Sequence, residues 1–365
     1  MKRTRAFINK YVPTFTLLSL TAAVVCLLLY FATTLSYSVA DAVNSTVSTA
    51  FRFIMAKISG IFPFSVFETL MYSLIPLLGL LIFLAVRAFR DPTSRIRYAF
   101  TLLGVVLIIY SGYLLALAIP YNVTPLGTRL EIEEVEINAD NLYDTAKLLL
   151  DEANTLASRL EFDESGSAVM PYSLDELSRM ISAGCASLAE KQGFLPGYSS
   201  RVKPVLTNGA MSSLHLLGIY TYFTGESNIN VDYPDFNLPF TTAHEFAHQR
   251  GVIRENEANF IAFLVCLESD DDFIRYSGYL QLYEYVASAL YRTDVERYRE
   301  LISDMSDAVR GELVADSEVY EKYADGFIGK ISRKLNDVYL KMNGTEGEIS
   351  YGLVTRLAVA YYESK

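Results

Sequence analysis

Residues 239–251 read Pro239-Phe-Thr-Thr-Ala-His-Glu-Phe-Ala-His-Gln-Arg-Gly251. His244 and His248 stand four residues apart, and on a helix that spacing stacks both imidazoles on one face. Two imidazoles so placed can reach a single divalent ion. Glu245 lies one step round from His244, where its carboxylate can hold a water on the ion without ligating it. The chain has only three His in 365 residues, and two of them fall in this motif. Coincidence is a weak explanation for that pairing with a Glu in the right place.

A tetrahedral zinc site open for reaction needs a third protein ligand and leaves a fourth position free. His215 lies upstream in a different element, so a carboxylate is expected. Gly251 can turn the chain, and Arg254-Glu-Asn-Glu-Ala-Asn-Phe260 then opens an apolar helix that reaches Cys266. Glu255 and Glu257 are two steps apart and cannot face one point. Glu255 shares a face with Asn259, which favours Glu255 as the ligand and Asn259 as a hydrogen-bond partner of a ligand His. Glu257 is the alternative ligand. Tyr220, Tyr222 and Tyr276 are candidates, by residue type, to donate to a developing oxyanion. His244, Glu245 and His248 thus form the HExxH arrangement of zinc peptidases, with Zn2+ as the expected cofactor.

Blander readings exist for several of these residues. Thr242 and Glu245 have the spacing of a capping box, which would make Glu245 a helix cap. One of Glu255 and Glu257 can serve only to complement a helix N-terminus. His215 sits in an apolar run and reads as a core or rim histidine. Glu226 and Asn228 fall in a turn-rich loop that explains them without function. The tyrosines between 276 and 285 have helical spacing and read as core.

The run Glu255-Asn-Glu-Ala-Asn259 after an HExxH helix resembles the Glu-zincin pattern, in which the first Glu is the third zinc ligand. Asn259 stands where many of those families have Asp, and the connection from His248 is short for the group. A wider resemblance covers nearly the whole chain. Pro63-Phe-Ser65, Phe223-Thr-Gly-Glu-Ser-Asn228, residues 243–251, Glu255-Asn-Glu-Ala-Asn-Phe260, Tyr339-Leu-Lys-Met-Asn-Gly344 and Ser350-Tyr-Gly352 are similar to an uncharacterised bacterial membrane family, domain of unknown function 3810. That resemblance implies a membrane-anchored, zincin-like protein and no particular substrate.

The first third of the chain supplies the membrane. Three apolar runs, about 12–35, 66–88 and 98–119, each meet the roughly 20 residues that a span needs. The first lacks a small-residue cleavage site and reads as a retained anchor. Lys2, Arg3, Arg5 and Lys10 precede the first run, and Arg87, Arg90, Arg95 and Arg97 separate the second from the third. Both clusters read as cytoplasmic, which puts everything after about residue 120 outside. Segment 49–62 is apolar with isolated cations and suits the interface.

The expected organisation is a three-helix transmembrane region over 1–120 and an extracytoplasmic, mainly α catalytic domain over 121–365 with a small β element. Asp140 can cap a helix over 141–160, and Ser173 with Glu176 opens another to about Lys191. Residues 217–223 are the best strand candidate. The apolar tail 351–362 is short and contains Arg356, so it reads as a core helix. The three Cys, Cys26, Cys185 and Cys266, read as buried thiols. Residues beyond 119 carry 21 basic and 39 acidic groups, which argues against nucleic acid as a partner. The glycosylation-type triplets at Asn44, Asn122 and Asn343 are chance matches in a bacterium.

The expected partners are the lipid bilayer and a peptide or protein substrate. The expected activity is zinc-dependent peptide hydrolysis outside the cytoplasm by a multi-pass membrane protein. The alternatives are a non-catalytic zinc module in signalling or envelope structure, and a zinc hydrolase of a cell-wall amide.

Overall fold

The computed structural model describes residues 2–324 and 349–364, so Asn343 and the Tyr339-to-Gly344 stretch lie outside the described residues. The chain divides into two compact units. The first comprises Met1–Thr124 with Thr221–Gly225, and the second comprises Pro125–Tyr220 with Glu226–Lys365. Both are built mainly of helices, and one three-stranded sheet belongs to the second part of the chain.

In the first unit, Thr14–Thr33 and Pro92–Asn122 are long and apolar enough to cross a membrane. Their large side chains are exposed, as suits lipid as solvent: Leu18 is 66% and Leu28 64% exposed. The two helices pack closely where Gly104 sits, because a β-carbon there would lie 2.9 Å from the Phe15 ring. Thr16 donates to the Phe100 carbonyl at 2.8 Å across the same seam.

The second expected span is broken. Val66–Tyr72 and Leu74–Ala88 meet at a 57° bend around Ser73. Pro76 explains the break, since it has no N–H for the Tyr72 carbonyl and its ring crowds that oxygen. The chain therefore has two candidate spans, or three if the bent pair counts as one. Either way it is a membrane protein by its apolar helices. Segment 49–62 is largely the helix Thr49–Gly60, which holds a buried Arg52 whose guanidinium donates to Asn44 Oδ1 at 2.8 Å.

The turn Thr221–Gly225 also packs within this first unit. Tyr222 meets Tyr113 edge-on at 6.0 Å, and Phe223 meets Phe67 at 6.1 Å. Gly225 has φ +70, and a β-carbon there would come within 2.6 Å of Met55 and Ala56. Glycine is required here on both counts.

In the second unit, Ala139–Ala157 and Asp272–Thr293 pack along each other. The first buries Leu142, Ala146, Leu149, Ala153 and Leu156 at helical period. Its cap is Asn138, not Asp140: the Asn138 side chain accepts from the N–H groups of Asp140 and Asn141, and Asn141 bonds back. Ser173 and Glu176 make the expected capping box of Leu174–Gln192. The helix Ile349–Glu363 buries Val354, Ala358 and Val359 in the shared core.

The sheet has the order β1 (Val202–Pro204), β3 (Glu226–Ile229), β2 (Gly218–Thr221). β1 runs parallel to β3, with Val202 opposite Ser227. β2 is thus an edge strand, at the heart of the 217–223 candidate. Glu226 and Asn228 are strand residues rather than turn residues. The reason is a non-local one: β1 pairs with β3 from over 20 residues away, Lys203 standing opposite Asn228, and Glu226 opens the same strand. Glu226 also forms a buried ion pair with Lys203.

Candidate metal centre

The motif helix runs Asn237–Gln249, buried on nearly every side by Leu238, Phe240, Ala243, Phe246 and Ala247. It starts at Asn237, so Glu245 lies in its middle and cannot act as its cap. The helix ends in a left-handed residue, Gly251, at φ +90. The Gly251 N–H donates to the His248 carbonyl at 2.9 Å, and the Val252 N–H reaches back to the Ala247 carbonyl at 3.0 Å. These two bonds are the Schellman closure of a helix.

This closure aims the Val252 carbonyl at His248, whose Nδ1 lies 2.8 Å away. A carbonyl only accepts, so Nδ1 carries a proton, and in the neutral ring the lone pair is on Nε2. The Nε2 lone pair is the one a metal needs. The backbone at Val252 therefore performs the orienting role that the sequence assigned to Asn259. Asn259 is buried but makes no hydrogen bond to either His among the described residues.

The next helix, Glu255–Leu267, begins three residues later and delivers Glu255 to the same point. Glu255 Oε2 lies 3.3 Å from His244 Nε2 and 3.5 Å from His248 Nε2. The two rings stand at 86° with centroids 4.5 Å apart. Ligands about 2.0–2.1 Å from a tetrahedral ion sit about 3.3 Å from one another, so these separations fit one zinc. Among the described residues, His244, His248 and Glu255 are the group of His, Cys, Asp and Glu that could hold a metal.

Glu257 has another task. Its Oε1 accepts from the Leu126 N–H at 2.9 Å and from Arg254 at 2.9 Å. It ties the start of the second unit to the Glu255 helix. Tyr276 lies in the core, edge-on to Phe162 and Phe236. Burial, aided by the Glu312 carboxylate, pushes its phenol well above the usual range. Tyr222 packs with the first unit, as described. Of the three tyrosines, Tyr220 alone bonds a motif side chain, through its backbone N–H to the Glu245 carboxylate. His215 stacks on Tyr320 at 4.3 Å, with a left-handed φ of 54.

Glu245 is 4% exposed, and its Oε2 has no hydrogen-bond partner among the described residues. Burial raises its pKa, against the opposing pull of His244 and His248. A buried carboxylate oxygen left unpaired beside two imidazoles is poised to take a proton from a bound molecule.

Burial disfavours a charged His248, yet the Glu255 carboxylate outweighs it and lifts His248 from 6.5 to about 9. The sign follows directly. In metal-free protein, this pairing stabilises the fold fully below about pH 6.5 and is lost as pH rises through about 9. Chelator-treated protein should therefore melt progressively lower over that window. Zinc-loaded protein should not, because the metal has already displaced the proton.

Gly251→Ala should cost about 1–2 kcal/mol, the penalty for a β-carbon at left-handed φ. It should also weaken zinc binding by about 10–100-fold, the usual effect of losing a partner that orients a ligand. Thermal melts and a zinc titration in competition with a chelator would measure both.

A family model described as Protein of unknown function (DUF3810) matches residues 44–359. The chain belongs to that family. No curated protein and no solved structure matches it. The match begins after the first candidate span and takes in the whole of Pro92–Asn122 and every residue of the metal group. Two contributors escaped the sequence reading: the Val252 carbonyl, signalled only by Gly251, and the backbone of β2 beside Glu245.

Proposed function

We propose that this chain is a membrane-anchored zinc peptidase of zincin type, acting outside the cytoplasm. One observation carries the proposal: the Nε2 atoms of His244 and His248 converge on a single Glu255 oxygen at 3.3 and 3.5 Å. When bound there, zinc supplies Lewis acidity, making water nucleophilic near neutral pH and polarising a carbonyl. Glu245 accepts the proton of the attacking water and returns it to the leaving amine. The Val252 carbonyl holds the Nδ1 proton of His248, so the neutral ring would offer its Nε2 lone pair to the metal. β2 lies at the sheet edge beside Glu245, where an extended peptide can add as a further strand.

With the bent pair counted as a third span, the basic residues before Thr14–Thr33 and those at 87–97 support a cytoplasmic N-terminus and an extracytoplasmic second unit. The test is hydrolysis by the full-length protein in detergent or nanodiscs. Extended peptides should be cleaved, with loss on chelation and recovery with zinc. Cleavage of cell-wall fragments but not peptides would move the reading to an amide hydrolase of the wall. No turnover of either, with zinc firmly held, would leave a structural or sensing module.

A further inference from the structure

The edge strand beside Glu245 has a gap in its side chains. A β-carbon on Gly218 would overlap Glu245 Oε1, lie 2.7 Å from Glu245 Cγ, and lie 2.8 Å from Thr241 Cγ2. These separations are too short for any carbon contact. Gly218 is not among the glycines with left-handed φ, so backbone freedom does not explain it. The reason for glycine here is the helix side chains it faces, Glu245 first and Thr241 next.

The surrounding bonds decide which group must yield. Asn230 N–H donates to the Leu217 carbonyl at 2.7 Å, so residue 217 directs its polar groups towards β3. Only the turn 222–225 separates β2 from its neighbour β3, so the two run antiparallel, and by the alternation of such a ladder residues 218 and 220 direct theirs the other way. There the Tyr220 N–H meets the Glu245 carboxylate. From β3, Ser227 Oγ donates to the Glu245 carbonyl at 3.0 Å and fixes the helix backbone against the sheet. Strand and helix are thus both held, and the groups that can move are the end of the Glu245 side chain, which is nearest, and the Thr241 methyl.

The geometry points to Gly218 as a positioning residue for Glu245: the missing side chain at 218 and the Tyr220 N–H together fix where the carboxylate stands. This inference rests on the peptidase reading for its consequence, but its geometry does not. A methyl at 218 would displace the carboxylate while leaving His244, His248 and Glu255 in place. A general base misplaced by about 1 Å loses on the order of 100-fold in rate.

The test compares Gly218→Ala, Glu245→Gln and the double variant in full-length protein reconstituted with cobalt(II). The visible cobalt spectrum reports the surroundings of the ion and is read whether or not any peptide is cleaved. Metal stoichiometry should be unchanged in G218A. Its spectrum should move towards that of E245Q, and the double variant should match E245Q alone. If peptides are cleaved, kcat of G218A should fall about 100-fold with KM little altered.

A G218A spectrum identical to wild type would overturn the inference, as would a shift that persists in full on top of E245Q. Should G218A fold poorly, Glu245→Ala supplies the second arm. Truncating residue 245 removes the Glu245 atoms of the overlap and leaves only the Thr241 methyl, so G218A should cost less stability in the E245A background than in wild type. An undiminished loss of stability in that background would also refute the role. Absence of peptide cleavage by wild type would count against the peptidase reading alone.

Discussion

His248→Ala should abolish stoichiometric zinc binding. Wild-type protein is expected to retain about one equivalent of zinc after purification and dialysis, and H248A close to none. His248 supplies one of three convergent donor atoms and is the one held by the Val252 carbonyl. Three protein ligands are the usual minimum for a zinc site with an open position, so losing one leaves too few. Glu255→Gln should behave in the same direction, because an amide oxygen is a weaker donor and brings no charge to two imidazoles. Glu257→Gln is the contrasting variant. Its Oε1 is engaged with Leu126 N–H and Arg254, so it should lose stability and keep zinc. Metal analysis by mass spectrometry on the three variants would separate the two acids. Full zinc retention in H248A would sink the metal centre.

The motif was legible because its geometry is local. A helix places residues four apart on one face whatever the tertiary fold, and the turn at Gly251 followed from residue type. The choice of Glu255 over Glu257 could also be argued from helical phase. What stayed hidden depended on backbone placed by distant chain. The Val252 carbonyl orients His248 only because the helix closes in a Schellman turn, and Asn259 drew the role because side chains are visible in sequence and carbonyls are not.

Strands β1 and β3 are three and four residues long, too short for an alternating pattern, and their pairing joins residues over 20 apart. Glu226 and Asn228 therefore looked like turn residues. In the membrane part, hydropathy marked 66–88 as one span because apolar composition does not register a break. Pro76 did, but a proline near the start of an apolar run is also compatible with a continuous kinked helix. Asp140 and Asn138 are both good caps, and the choice fell to Asn138 through the reciprocal bond from Asn141.

Glu245→Gln should keep zinc and lose turnover, by about 100- to 10,000-fold, the usual contribution of a general acid–base group. The substitution preserves volume and leaves the Tyr220 N–H a carbonyl oxygen to meet. It removes the capacity to take a proton, and nothing nearby replaces it: His244 and His248 direct Nε2 to the ligand point rather than to a water's proton. Glu245 ligates no metal in this arrangement, so zinc content should match wild type. The paired result, zinc kept and hydrolysis gone, holds for a peptide bond and for a cell-wall amide alike, because both reactions need a proton moved from water to nitrogen. E245Q that turns over substrate at the wild-type rate would show that the buried carboxylate is not the base. A non-catalytic module would instead leave every cellular phenotype of E245Q unchanged while H248A removed it. The same carboxylate thus separates the enzyme from the sensor, through its Oε2, which makes no hydrogen bond among the described residues.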